Sequence, residues 1–290
     1  MGLKNKIFCF NVESYQELTV INELASSLGL VQNIAIRVNP NVEVHSHKNI
    51  TTGKIENKFG ISVKETYRII EEEIAKGKFG NVKFIGIHFH IGSQILNLND
   101  YNNLISLINE MNERISKTIQ FDFIDVGGGL GVDYEKPIDN IMPKFKEYFS
   151  LFEGIKRKEY QKIHFELGRS LVAQCGILVT KVLYVKKGET KTFIVVDSGF
   201  TELIRPALYQ AKHEIINLTN LKNSNEKIKC DIVGPICEST DTFRTDYYID
   251  KDTKRGDLLG ILSVGAYGEV MASCYNCREL VKGYLDDEIN

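Results

Sequence analysis

Over its first two thirds the chain alternates short apolar runs with longer amphipathic stretches. The runs "KIFCFNV" (6–12), "NIAIRVNP" (33–40), "VKFIGIHFH" (82–90), "FDFIDV" (121–126) and "KIHFEL" (162–167) are bounded and rich in Ile, Phe and Val. Their length and composition predict buried strands. Between them, "SYQELTVINELASSLG", "VKETYRIIEEEIAKGK", "DYNNLISLINEMNERISK" and "IMPKFKEYFSLFEGIKRK" carry apolar residues at helical spacing, with Ser14, Ser62 and Asp100 as predicted caps. This alternation predicts parallel strands joined by right-handed crossovers. From about residue 171 the pattern changes to closely spaced strands, "GILVTKVLYVKKG", "KTFIVVDSG", "KCDIVGP" and "GDLLGILSV", with a weak helical stretch near 206–217. Short β-rich runs separated by glycine turns predict a mainly antiparallel second domain. The expected division is therefore 1–170, an α/β domain, and 171–290, a β domain.

Composition adds mostly exclusions. In 290 residues, 36 basic and 38 acidic side chains give a net charge of −2, so bulk charge predicts neither nucleic-acid nor membrane attraction. No apolar run reaches the ~20 residues of a membrane span. Six cysteines without an opening signal segment read as cytoplasmic thiols. "CYNC" (274–277) has a metal-like spacing, but no second pair or nearby histidine completes a site, so no metal is expected.

The candidate chemistry falls at the ends of the predicted parallel strands, where (β/α) barrels place their functional groups. "HFHIGSQ" (88–94) follows the third strand, "GGGLG" (127–131) the fourth and "ELGR" (166–169) the fifth. The glycine run is either a tight turn or an anion cradle. It is neither a dinucleotide loop, because Val132 stands where the last glycine belongs, nor a P-loop, which needs Gly-Lys-Ser/Thr. Ser93 and the amides of Gly127, Gly128 and Gly129 can donate to a phosphate, and Arg169 can supply charge. His90 is either a ring partner or a satisfied core histidine. Glu166 pairs either with a protonated ring nitrogen or with Arg169.

Together with "FNVES" (10–14), "RVNPNVEVHSHKNITTGKIENKFGI" (37–61), "RPALY" (205–209), "GPICESTD" (234–241) and "GAYG" (265–268), these segments resemble the fold-type III pyridoxal-phosphate decarboxylases, the alanine-racemase-like barrel family, and within it the diaminopimelate decarboxylase branch. The resemblance implies an incomplete (β/α)8 barrel followed by a mainly antiparallel β domain. It implies pyridoxal 5′-phosphate as cofactor, with His90 stacked on the ring and Ser93 and Gly127–Gly129 at the phosphate. Glu166 would stand at the ring nitrogen, and Gly168, Arg169 and Tyr267 would also face the cofactor. For the amino-acid substrate it implies Arg169, Arg205 and Tyr209 at the distal carboxylate, Glu238 at the distal ammonium and Tyr267 touching both ligands. Cys237 would donate the proton that replaces CO2. Taken singly, Arg205 reads as a surface turn, Cys237 as a small buried hydrophobe and Tyr267 as a packed strand aromatic. The family's "EPGR" stands here as "ELGR", with Leu167 in place of the proline.

The activity implied is decarboxylation of meso-2,6-diaminopimelate to L-lysine, in a homodimer whose site is completed by "GPICES" of the other subunit. One departure matters. The family tethers its cofactor to a lysine in a segment resembling "YAVKAN", which this sequence lacks; Lys4 and Lys6 lie outside the motif. That segment and about three strand–helix units of an eight-unit barrel would precede Met1, and the chain alone is expected to be inactive or nearly so. The alternatives are decarboxylation of another basic amino acid, ornithine or arginine, and a non-catalytic truncated paralogue.

Overall fold

Each of the five apolar runs becomes a strand of one parallel sheet. The computed structural model describes residues 1–42, 58–221 and 226–285. Its chain forms two compact units, one of residues 1–131 and 144–168, the other of 132–143 and 169–290.

In the first unit the elements run β1 (Phe10–Val12), α1 (Tyr15–Ser27), β2 (Gln32–Asn39), β3 (Ile61–Ser62), α2 (Val63–Arg68), β4 (Val82–His88), α3 (Asp100–Ile115), β5 (Phe123–Asp125), α4 (Phe145–Leu151) and β6 (Lys162–His164). The strand order is β1-β2-β4-β5-β6, with β3 paired to β2, and every pairing is parallel. This is the α/β half of the expected fold, open at β1 and β6 among the described residues.

Strand periodicity gives the sheet two chemically different faces. Val12, Ile34, Ile36, Val38, Ile87 and Ile124 are at most 1% exposed and share one core with Leu18 and Ile21 of α1 and Leu104, Ile108 and Met111 of α3. The opposite face carries Asn11, Arg37, His88, Asp125 and His164. Arg37 stands opposite His88, His88 opposite Asp125 and Asp125 opposite His164, so one polar row crosses four strands at their C-terminal ends.

Two of the three expected caps form. Ser14 Oγ accepts the Glu17 N–H and Ser62 Oγ accepts the Glu65 N–H. Asp100 is instead the first residue of α3, after Asn99; Asn97 Oδ1 accepts the Asn99 N–H and its amide donates to Asp100 Oδ1. Neighbouring asparagines thus take the turn that the carboxylate was expected to cap. After α2 the helix widens into a π-helical stretch, Ile69–Ile74, that turns Glu73 inward. Tyr15 donates to Glu73 over 2.6 Å, and Lys78 and Arg68 pair with it. Burial raises the Glu73 carboxyl, but these donors outweigh it and hold the group down at about 2. Its contribution to stability is therefore fully present above pH 4.5 and is lost as pH falls toward 2. Urea unfolding at pH 5 and pH 3 should show this loss, and Glu73→Gln should remove much of the difference.

The second unit comprises α5 (Arg169–Val172), β7 (Ile177–Lys187), β8 (Thr192–Val196), α6 (Arg205–Tyr209), β9 (Ile215–Asn217), β10 (Lys227–Val233), β11 (Thr242–Asp250) and β12 (Leu258–Leu262). The order is β11-β10-β8-β7-β12-β9, antiparallel throughout except for the β8–β10 pair. Val182, Ile194, Val196, Ile232, Leu259 and Ile261 form its core. The helical stretch expected at 206–217 is a short helix followed by a strand, and β11 was not expected at all. Segment 132–143 is held here by Gln174 Nε2, which donates to the Pro137 and Asn140 carbonyls. No described helix is long and apolar enough to cross a membrane.

Candidate functional site

In the first unit, three strand-end loops converge. The loop after β4 brings His90 and Ser93, the loop after β5 brings Gly127–Gly129, and Glu166 follows β6. Backbone bonds fasten them: Ile95 N–H donates to Gly129 O (2.8 Å), Gly131 N–H to Ile95 O (3.0 Å) and Glu166 N–H to Gly127 O (2.8 Å). Glycine is required for this approach. At Gly127, with φ +71°, a Cβ would lie 2.3 Å from Phe89 O; at Gly128 it would lie 2.5 Å from Glu166 O. Behind the loop, Tyr101 at the start of α3 donates to Gly128 O (3.1 Å) and packs edge-on against Tyr148 and Phe152. The glycine run is therefore both a tight turn and the junction of three loops.

His90 is partly buried, and Gly128 N–H donates to its Nδ1 (3.3 Å). Burial, with Arg37 and His88 nearby, pushes the imidazole down to about 4, so the ring is neutral with its proton on Nε2. Glu166 pairs with His88 Nε2 (3.1 Å), and Asn11 Nδ2 donates to its other oxygen (3.4 Å). The His88 bond holds the Glu166 carboxyl below its ordinary value despite burial, so it is ionised. Asp125 accepts the Gly127 N–H, and burial raises its own carboxyl. His88, Asp125 and Glu166 offer ligand-type atoms within 4.8 Å of one another, a grouping absent from the sequence-based expectation.

The second unit gathers a different set. Arg169 Nη1 donates to the Tyr134 hydroxyl (2.7 Å), and its guanidinium lies 4.8 Å from the Tyr267 ring centre. Arg205 lies 4.2 Å from the Tyr134 ring centre and donates to His213 Nε2 (2.7 Å). Arg205 is 4% exposed and Arg169 8%. A surface turn does not describe Arg205. Among the described residues no carboxylate forms an ion pair with it, and its Nε has no acceptor. Tyr209, at the end of α6, is partly exposed; Tyr267 is 43% exposed at φ +60° rather than packed in a strand. Cys237 and Glu238 lie on the exposed loop after β10, so Cys237 is not a buried hydrophobe. Tyr275 donates to Glu238 (2.8 Å), and buried Asp241 fastens the loop by accepting the Ile236 and Phe200 N–H groups.

Residues 1–173 match the family model described as the pyridoxal-binding domain of pyridoxal-dependent decarboxylases. Across its whole length the chain is 52% identical to a diaminopimelate decarboxylase of Bacteroides thetaiotaomicron, covering 74% of that protein. The chain belongs to the diaminopimelate decarboxylase family. A family member from Aquifex aeolicus is 42% identical over 96% of the chain and 64% of its own length. The solved Helicobacter pylori diaminopimelate decarboxylase, complexed with L-lysine, superposes with a TM-score of 0.85 at 40% identity, over 94% of this chain and 66% of that one. The chain thus spans about two thirds to three quarters of these relatives.

Family membership calls for pyridoxal phosphate, and the first unit's residues fit it. An ionised, 44% exposed Glu166 side chain suits a protonated ring nitrogen, and a neutral, oriented His90 suits an aromatic face. Gly168 opens space after Glu166, since a Cβ there would meet nothing within 4 Å. Two of the three glycine amides expected at the phosphate already have protein acceptors, Asp125 and His90. Residues 43–57 of the family-like 37–61 segment, "EVHSHKNITTGKIEN", lie outside the described residues. His88 and Asp125 carry no role in the sequence-based expectation, although each is a polar residue interrupting an apolar strand. Asn11, Tyr134 and His213 likewise carry none.

Proposed function

We propose that the protein decarboxylates meso-2,6-diaminopimelate to L-lysine and CO2, its first unit holding pyridoxal phosphate and its second binding the substrate's distal amino-acid head. The observation that carries the substrate assignment is Arg205: a buried guanidinium with no carboxylate partner among the described residues. A buried cation without a counterion is costly, and an incoming carboxylate removes that cost. Arg169 adds a second guanidinium to the same residue cluster, where a bare ammonium would be repelled.

Bound pyridoxal phosphate supplies an electron sink for the pair left at the α-carbon when CO2 departs. Glu166, kept ionised by His88, holds a proton at the ring nitrogen. His90 offers a neutral face, and Ser93 with the Gly129 amide, the one of the three not already donating to Asp125 or His90, would face the phosphate. Arg169 and Tyr267 are assigned to both ligands. Arg205 and Tyr209 orient the distal carboxylate, and Glu238, fixed by Tyr275, takes the distal ammonium. Cys237, on the same exposed loop, would deliver the final proton, and a homodimer would bring that loop to the neighbouring subunit's site.

With pyridoxal phosphate present, meso-2,6-diaminopimelate is expected to bind at least about 100-fold more tightly than L-ornithine by calorimetry, because ornithine lacks the second carboxylate. Equal affinity, or tighter binding of ornithine, would replace this assignment by a general basic amino-acid decarboxylase.

A further inference from the structure

We infer that His213 is a specificity-determining positioning residue: it holds Arg205 through a neutral acceptor and so keeps the guanidinium's charge for the substrate carboxylate. This inference rests on the assignment of Arg205 to that carboxylate.

His213 is 1% exposed. Its Nδ1 lies 2.8 Å from Leu262 O, and its Nε2 lies 2.7 Å from Arg205 Nη1. A carbonyl can only accept, so Nδ1 must carry a proton. A guanidinium can only donate, so Nε2 must be a lone pair. The two neighbours therefore specify one tautomer of the neutral ring, with its second proton excluded by Arg205. Burial, opposed by the Leu262 bond and aided by Arg205, Arg244 and Arg169, brings the imidazole to about 4. The Tyr134 ring packs edge-on against it at 4.8 Å, fixing its plane.

A buried arginine is commonly held by a carboxylate, which satisfies its donors and cancels its charge. Here an imidazole lone pair and the Tyr134 π-face orient the guanidinium without cancelling it. Nε, which has no acceptor among the described residues, leaves a donor for the incoming group. A carboxylate at position 213 would occupy the same bonding role and consume the charge.

The test uses two ligands that differ only by a carboxylate, L-lysine and 1,5-diaminopentane, titrated calorimetrically into the protein with pyridoxal phosphate. Wild type should prefer L-lysine. His213→Gln, which keeps a neutral acceptor, should preserve the preference. His213→Glu, which can accept from Arg205 but cannot donate to Leu262 O, should reduce L-lysine affinity by about 100-fold or more, with little change for 1,5-diaminopentane. If wild type shows no preference, the Arg205 assignment itself fails. If wild type discriminates and a folded His213→Glu variant does so equally, the role of His213 fails while that of Arg205 stands. Nitrogen NMR of histidine-labelled wild type gives a measurement independent of any variant. The His213 ring should remain neutral with its proton on Nδ1 from about pH 5.5 to about pH 8; a protonated ring or the other tautomer overturns the inference.

Discussion

Arg205→Met is expected to weaken binding of L-lysine and of meso-2,6-diaminopimelate by roughly 30- to 4000-fold, the equivalent of about 2–5 kcal/mol for losing one member of a buried charged pair. Stability should move differently. The substitution removes a buried cation that has no carboxylate partner among the described residues, and with it that ion's desolvation cost. It also strands the His213 Nε2 lone pair, at about 1–3 kcal/mol. These effects oppose each other, so the melting temperature should fall far less than ligand affinity. Calorimetry and a thermal scan on one preparation check both halves. A large fall in melting temperature with unchanged ligand affinity would make Arg205 a structural residue.

Gly127→Ala should be the most damaging single methyl in the first unit. The left-handed backbone at φ +71° costs about 1–2 kcal/mol for an L-residue, and overpacking against Phe89 O adds about 1–3 kcal/mol. The added Cβ would also lie 2.9 Å from His90 Nδ1, so relief by movement displaces the ring proposed to face the cofactor. Gly77→Ala is the control: its φ is +78°, but nothing lies within 4 Å of the new Cβ. It should show only the backbone cost and retain pyridoxal phosphate normally. Denaturant unfolding gives the stabilities, and the cofactor's absorbance after gel filtration gives retention. Equal losses in the two variants would mean that convergence of the three loops does not limit stability.

The five parallel strands were legible because each is a short, bounded Ile/Phe/Val run, and the α3 stripe because Tyr101, Leu104, Ile108, Met111 and Ile115 follow helical spacing. The cofactor candidates were legible because barrels place chemistry after strand ends, which are local in sequence. The support beneath them was less visible. His88 lay inside the quoted "HFH", but its bond to Glu166 joins residues 78 apart in the chain. Tyr134, Arg205, His213 and Leu262 come together from separate segments, and no spacing rule connects them. Segment 132–143 carries no composition break, yet it belongs to the second unit through bonds made at Gln174. Asp100 misled because a carboxylate before an apolar stripe resembles a cap, while Asn97 and Asn99 supplied the turn.

The polar row across β2, β4, β5 and β6 has a consequence for how the chain threads. Side chains alternate between the two faces of a strand, so a slip of one residue exchanges the faces entirely. Sliding β4 by one position would drive His88 into the layer of Ile36 and Ile124 and turn Ile87 toward Asp125. An unpaired imidazole in that layer would cost several times what a misplaced isoleucine costs, since buried polar groups need partners. Asp125 imposes the same penalty on β5. The polar side chains of this row therefore also act as a gauge of alignment, telling the sheet where each strand must stop.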